Sequence, residues 1–236
     1  MEDVKWRVTC KRFVGFLDIM GFKDRVMRDS HKKVYDLMKK ISNYANFNSN
    51  IEWNPANKNL IRTTLYSDSI IIYSKDEEPD SLHAIVCTIS GLTEDLLKEG
   101  IPFKGALSFG NMSVDMKNSI FFGQPLIDAY LLQEEVNFYG TIIHGSAQQI
   151  IEEYNRVSFI HEYNCLLKKG RNKHLTIGPM SFFIENDEVA DSDNEEILNS
   201  IHQIRFTASG YIRNYIDETE KYLESIQNNN KKSQKK

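Results

Sequence analysis

Apolar and polar positions along the chain follow two periods, and the changes of period mark the elements. Phe13 to Ile19 is an almost unbroken apolar run, so residues 12–19 are expected to form a buried strand. Residues 23–46 carry Val34, Leu37, Met38 and Ile41 at helical spacing and predict a helix. The Asn-rich stretch 47–58, with Pro55, reads as a loop. Residues 60–66 and 68–74 predict one or two strands. Asp80 opens a helix with Leu82, Ile85, Val86, Ile89, Leu92 and Leu96 on its apolar stripe, ending at Gly100. Residues 103–109 predict a strand, followed by a short strand pair over 112–122. Pro125 suits the first turn of a helix running to about Val136.

The remainder reads less regularly. Short strands and loops are expected over 141–188, with a basic loop at 170–174 and an acidic linker from Asp187 to Glu196. Residues 195–226 predict one long helix with Ile197, Ile201, Ile204, Ala208, Tyr211 and Tyr215 on a stripe. The polar, basic tail 228–236 is expected to be disordered. The order β-α-β-β-α-β-β-α is that of an α+β, ferredoxin-like α/β sandwich with a mainly antiparallel sheet, in which the first and third strands are neighbours.

Two acids interrupt the apolar strands. Asp18 sits in Phe16-Leu17-Asp18-Ile19-Met20-Gly21-Phe22, and Asp68 in Tyr66-Ser67-Asp68-Ser69-Ile70. A carboxylate in an apolar strand is costly without a cationic partner. Two that the topology brings side by side suggest one or two divalent metals, and oxygen ligands suit Mg²⁺ or Mn²⁺ and phosphate chemistry. Gly21, between a strand and a helix, allows close backbone approach to an anion. Arg62, Thr64 and Tyr66 share strand parity, so they are candidates for one cavity, against plain packing on a helix.

Composition narrows the picture. At 236 residues with a net charge of −4, the chain is expected to be one large domain, or one domain with an extension, without broad electrostatic binding to nucleic acid. Cys10, Cys87 and Cys165 are scattered and read as reduced thiols. No apolar run approaches the roughly 18 residues of a membrane span. The first twelve residues lack an apolar signal core, so the expectation is a soluble cytoplasmic protein.

In order and residues, Phe16-Leu17-Asp18-Ile19-Met20-Gly21-Phe22, Ser67-Asp68-Ser69, Lys104-Gly105-Ala106-Leu107 and Gly123-Gln124-Pro125-Leu126-Ile127-Asp128-Ala129 resemble class III nucleotidyl cyclases over roughly residues 12–145. Within that family the chain looks most like the pyrimidine cyclases of bacterial Pycsar antiphage systems. It departs from adenylyl and guanylyl cyclases at four positions. Ile127 and Leu131 stand where the family carries a transition-state Asn and Arg. Thr64 replaces a base-reading Lys, and Ser67 a Gly.

The resemblance implies a catalytic domain over 8–188, a helical extension over 189–227, and a homodimer with its active sites at the interface. It implies Asp18 and Asp68 as catalytic residues that hold two Mn²⁺ or Mg²⁺ ions with the Ile19 carbonyl. The amides of Met20, Gly21 and Phe22 would cradle phosphates, with Lys104 as a further phosphate contact, and Arg62, Thr64 and Tyr66 would meet the nucleotide. Arg171 and Lys173 are additional phosphate candidates, against a plain surface loop. The implied reaction converts UTP to 3′,5′-cyclic UMP, which acts on a separate effector in antiphage defence. The alternatives are CTP as substrate, a divergent purine cyclase, and an inactive nucleotide-binding module.

Overall fold

The computed structural model describes residues 6–50, 59–154, 157–184 and 187–233. Its centre is a mostly antiparallel sheet built on β1 (Thr9–Ile19). The sheet order is β2-β3-β1-β4-β6-β8-β7, with β5 paired to β4. The strands are β2 (Ile61–Tyr66), β3 (Ser69–Ser74), β4 (Phe103–Asp115), β5 (Ile120–Gly123), β6 (Gly140–Ile143), β7 (Ile160–Leu167) and β8 (Gly170–Ile177). β1 lies between β3 and β4, as the expected ferredoxin-like order requires, and among the described residues only β4 and β6 pair in parallel.

The helices are α1 (Phe22–Arg28), α2 (His31–Ser49), α3 (Pro79–Lys98), α4 (Gln124–Glu135), α5 (Gly145–Tyr154), α6 (Glu188–Thr207) and α7 (Tyr211–Ser233). The two faces of β1 have different fates. Phe13, Gly15, Leu17 and Ile19 alternate onto the face covered by α3, so close to it that a Cβ on Gly15 would lie 2.9 Å from Ile89 Cδ1. Val14, Phe16 and Asp18 look the other way, where α4 covers part of the face: Tyr130 meets Phe16 edge-on at 5.4 Å.

Several expectations change, each for a local reason. The helix expected over 23–46 is two helices, because Ser30 leaves the helical region and its hydroxyl accepts the Lys33 N–H at 3.4 Å as the cap of α2. α2 runs on to Ser49, into the stretch expected as a loop, and residues 51–58 of that stretch lie outside the described residues. β4 runs unbroken through the expected strand 103–109 into the expected strand pair over 112–122, which its end forms with β5 from Met112↔Gly123 to Asp115↔Ile120. It follows β1 over the whole length from Ile19↔Phe103 to Thr9↔Ser113.

The basic stretch 170–174 is the start of β8, paired residue by residue with β7. The acidic stretch after Asp187 opens α6 instead of linking domains: Asp187 accepts the Val189 and Ala190 N–H groups at 3.0 Å each. Acidic residues in the first turn favour that end of the helix. The single C-terminal helix is α6 and α7, divided at Gly210, whose φ of 58° suits glycine. α7 continues through residues 228–233, part of the tail expected to be disordered. Both helices join the main core through Ile197, Ile201, Tyr222 and Leu223. All three cysteines are free and buried, and among the described residues no helix is long and apolar enough to cross a membrane.

α4 depends on a close approach at its entrance. A Cβ on Gly123 would lie 2.5 Å from the Asn111 carbonyl oxygen and 2.8 Å from Met112 Cα, both backbone atoms of β4. Gly123→Ala is expected to cost about 2 kcal/mol by overpacking, read as a lower midpoint in urea unfolding. An unchanged midpoint would show that β5 and α4 are free to move away from β4.

Candidate active site

The site begins at the C-terminal end of the central strand. Asp18 pairs across the sheet with Ser69 on one side and Lys104 on the other. Asp68 lies in the two-residue turn Ser67–Asp68 between β2 and β3. The turn is fastened to β1, because the Ile19 N–H donates to the Asp68 carbonyl at 2.9 Å. Ser67 turns the chain with φ 55°, a conformation that glycine adopts more readily. The two carboxylates, fifty residues apart in sequence, thus stand at one corner of the sheet.

Gly21 begins the next turn with φ 73° and precedes α1. Of the three amides expected to cradle phosphate, that of Met20 is already used: it donates to the Pro102 carbonyl at 2.9 Å. Gly21 and Phe22 stand at the start of α1, where a helix leaves its first N–H groups without intrahelical acceptors.

Charge at this corner is unbalanced. Burial, then the neighbouring Asp68 and Glu134, push the Asp18 carboxyl up to about 6, against the pull of Lys104. Lys104 is only 7% exposed, and its Nζ lies 3.5 Å from Glu134 Oε1. Glu134 also receives Lys168 Nζ at 3.2 Å and Gln133 Nε2 at 3.1 Å. Burial favours its protonated form, but Lys104, Lys168 and Gln133 outweigh this and hold its pKa below the usual value. Glu134 went unnoticed in the sequence. It lies four residues after Tyr130, which packs on Phe16, so helical spacing alone places it over Asp18 and Lys104.

Arg62, Thr64 and Tyr66 do share the face of Asp18: they pair with Tyr73, Ile71 and Ser69 of β3, the residues opposite Val14, Phe16 and Asp18 of β1. Tyr66 is 79% exposed. The Thr64 hydroxyl lies 3.3 Å from Tyr73 Oη. Arg62 is stacked on Trp6, with its guanidinium 4.4 Å from the ring centroid.

Arg171 and Lys173 have other partners. Arg171 forms a two-pronged ion pair with Glu218 of α7 at 2.7 and 2.5 Å, and the Tyr163 hydroxyl donates to the same carboxylate at 2.7 Å. Lys173 pairs with Glu162 across the β7–β8 hairpin at 3.0 Å. The basic stretch therefore joins β7, β8 and α7, and Arg171 is committed to Glu218.

Among the described residues no cluster of three or more His, Cys, Asp or Glu could hold a metal. The Asp18–Asp68 pair nevertheless fits Mg²⁺ or Mn²⁺ in kind. Its donors are hard oxygens, and a dication would offset the burial and the Asp68 repulsion that together raise the Asp18 pKa. Such ions keep several waters and take substrate phosphate oxygens to complete their shell.

No protein-family profile and no curated protein matches the chain. Its fold recurs in solved structures. The catalytic core of a rhodopsin-guanylyl cyclase with converted specificity, in complex with ATPαS, superposes with a TM-score of 0.52 at 15% identity, covering 72% of this chain and 96% of that one. The guanylate cyclase domain of RhGC from Catenaria anguillulae, in complex with GTP, gives 0.52 at 14% identity, covering 72% and 97%. The chain thus has the architecture of class III cyclase catalytic domains, a likeness of fold.

Two outcomes follow from this geometry. The folded state binds the Asp18 proton more tightly than the unfolded chain does, so ionising Asp18 destabilises the metal-free fold as pH rises from about 4 to about 6. Asp18→Asn is therefore expected to melt higher than wild type at pH 7.5 without divalent cations, and the gap should close toward pH 4. A gap that does not vary with pH would refute the assignment. Arg171→Ala should cost about 2 kcal/mol, below the range for a wholly buried pair because Arg171 is partly exposed. Nucleotide affinity should be unchanged in the same protein, and a large loss of affinity without loss of stability would return Arg171 to a phosphate role.

Proposed function

We propose that the chain is a nucleotide cyclase acting on a pyrimidine nucleoside triphosphate, UTP first and CTP as the alternative. The observation that carries this reading is the convergence of Asp18 and Asp68 beside Lys104, at the corner where strand β1 turns into α1. In the reaction the ribose 3′-oxygen attacks the α-phosphorus in line. The bond to the bridging oxygen of the β-phosphate breaks, pyrophosphate leaves, and the hydroxyl proton passes to solvent.

Asp18 and Asp68, with the Ile19 carbonyl, would hold Mg²⁺ or Mn²⁺. Bound there, such ions favour the ionised 3′-oxygen and neutralise triphosphate charge. The chain itself supplies position and fixed charge. Lys104, already beside Asp18, adds a cation, and the Gly21 and Phe22 amides face the phosphates. Thr64 and Tyr66 take the base, and Thr64 leaves more room than the Lys of purine cyclases.

Ile127 and Leu131, at the positions of the missing transition-state residues, are 59% and 57% exposed. Apolar side chains in place of that Asn and Arg favour a second reading, an inactive module that binds nucleotide without turning it over. Their exposure supports a homodimer. Ile120, Phe122, Ile127, Tyr130 and Leu131 form an apolar surface on β5 and α4, the kind of patch that marks an interface. By resemblance, the product is a second messenger for a separate effector in antiphage defence, made in the cytoplasm.

Incubation with Mn²⁺ and each of the four nucleoside triphosphates, read by mass spectrometry, is expected to yield cyclic UMP or cyclic CMP. Asp18→Ala and Asp68→Ala should lower turnover by about 100-fold or more. Product from neither pyrimidine would reject the substrate, and binding without any product would favour the inactive module. Ile127→Glu with Leu131→Glu should give a folded monomer by analytical ultracentrifugation that has lost activity. An active monomer would rule out a site shared between subunits.

A further inference from the structure

One row of side chains crosses four strands at the Asp18 end of the sheet. The register sets Tyr66 of β2 beside Ser69 of β3, Ser69 beside Asp18 of β1, and Asp18 beside Lys104 of β4. Residues directly opposite in antiparallel strands share a face, so the four stand together. Ser69 and Asp18 are the closer kind of pair. The Ile19 N–H donates to the Asp68 carbonyl at 2.9 Å, a bond that flanks the two residues without joining them. In such pairs the Cα atoms are about 4.5 Å apart and the side chains are drawn together.

The Ser69 hydroxyl is also uncommitted. Serines elsewhere in the sheet spend theirs on carbonyls: Ser74, at the other end of β3, donates to Asp76 at 2.7 Å, and Ser108 of β4 to Pro125 at 2.5 Å. Among the described residues the Ser69 hydroxyl has no hydrogen-bond partner. Ser69 is half-buried, and Tyr66 beside it is exposed, so the row is open to solvent at that end.

In the cyclase reading the attacking atom is the ribose 3′-oxygen, which belongs at the acid pair. The 2′-hydroxyl is carried on the neighbouring sugar carbon, so it comes down beside Asp18. Of the two side chains opposite Asp18, Lys104 is paired with Glu134 at 3.5 Å. Ser69 offers a hydroxyl, which can both donate and accept.

We propose that the Ser69 hydroxyl hydrogen-bonds the ribose 2′-hydroxyl, so that the site selects ribonucleoside over 2′-deoxyribonucleoside triphosphates. This inference rests on the nucleotide-cyclase reading of the Asp18–Asp68 site and deepens it by assigning the sugar contact.

The test has a kinetic arm and a binding arm. Wild type is expected to use UTP with a kcat/KM about fivefold above that for 2′-deoxy-UTP, what one neutral hydrogen bond supplies. Ser69→Ala should erase that gap by slowing UTP alone. Ser69→Thr keeps a hydroxyl on a residue type that suits strands, and should retain the gap. Equal losses on both substrates, a gap that survives Ser69→Ala, or a gap lost equally in both variants overturns the contact.

The binding arm needs no turnover. 3′-Deoxy-UTP and 2′,3′-dideoxy-UTP cannot cyclise and differ only in the 2′-hydroxyl. With Mn²⁺, calorimetry should show wild type binding the first about fivefold more tightly and Ser69→Ala binding both alike, with the cytidine pair run in parallel. A wild type that turns over no nucleotide yet shows this difference rejects the enzymatic reading and upholds the contact. Equal binding of the two by wild type rejects the contact even if cyclic UMP is made, and binding of no analogue rejects both.

Discussion

Two carboxylates of like charge are held at one corner of the sheet, and much of the surrounding structure serves that placement. Asp18 ends the strand at the centre of the fold, and Asp68 rides on a turn that strand anchors through the Ile19 N–H and Asp68 carbonyl. The cost shows in Asp18, whose carboxyl is raised to about 6 chiefly by burial and next by Asp68. Lys104 relieves part of it, from a strand position that the register sets directly opposite Asp18. A buried lysine has its own need for an anion, and Glu134 of α4 answers it. The sequence of demands runs from the acid pair to Lys104 to Glu134 to Lys168, which ties the acid corner to the far half of the sheet.

The sheet distributes its two faces unequally for the same reason. The face under α2 and α3 is filled by Phe13, Leu17, Ile19 and the apolar side of α3, an ordinary dry core. The opposite face carries Asp18, Lys104, Thr64 and Tyr66 and is only partly covered by α4. Large apolar groups such as Phe122 and Leu131 remain on its rim. A surface both charged and apolar, adjoining the one corner with strained electrostatics, is where a charged ligand and a partner surface would be brought together. The Trp6 segment bounds that face at its other end.

The C-terminal third is built into the same body. Glu218 of α7 is buried and satisfied by Arg171 and Tyr163, so α7 and the β7–β8 hairpin are joined by a pair that neither could lose without leaving an unmatched polar group. The cation that resembles a phosphate contact in the sequence thus has a structural role, and α7 shares the main core through Tyr222 and Leu223.

Apart from the break at Ser30 that makes two helices of one, the sequence by itself determined the order of strands and helices through residue 136, because buried strands and amphipathic helices impose periods of about 2 and 3.6 that survive without tertiary context. It also determined the acid pair, because a charge inside an apolar run is conspicuous whatever its partner. Only the tertiary structure decided who the partners are. Whether Lys104 meets Asp18, Arg171 meets Glu218, or Arg62 meets Trp6 depends on strand register and helix docking, which bring together residues tens of positions apart. The Met20 amide was spoken for by Pro102 across the sheet edge, a hydrogen bond no local pattern encodes.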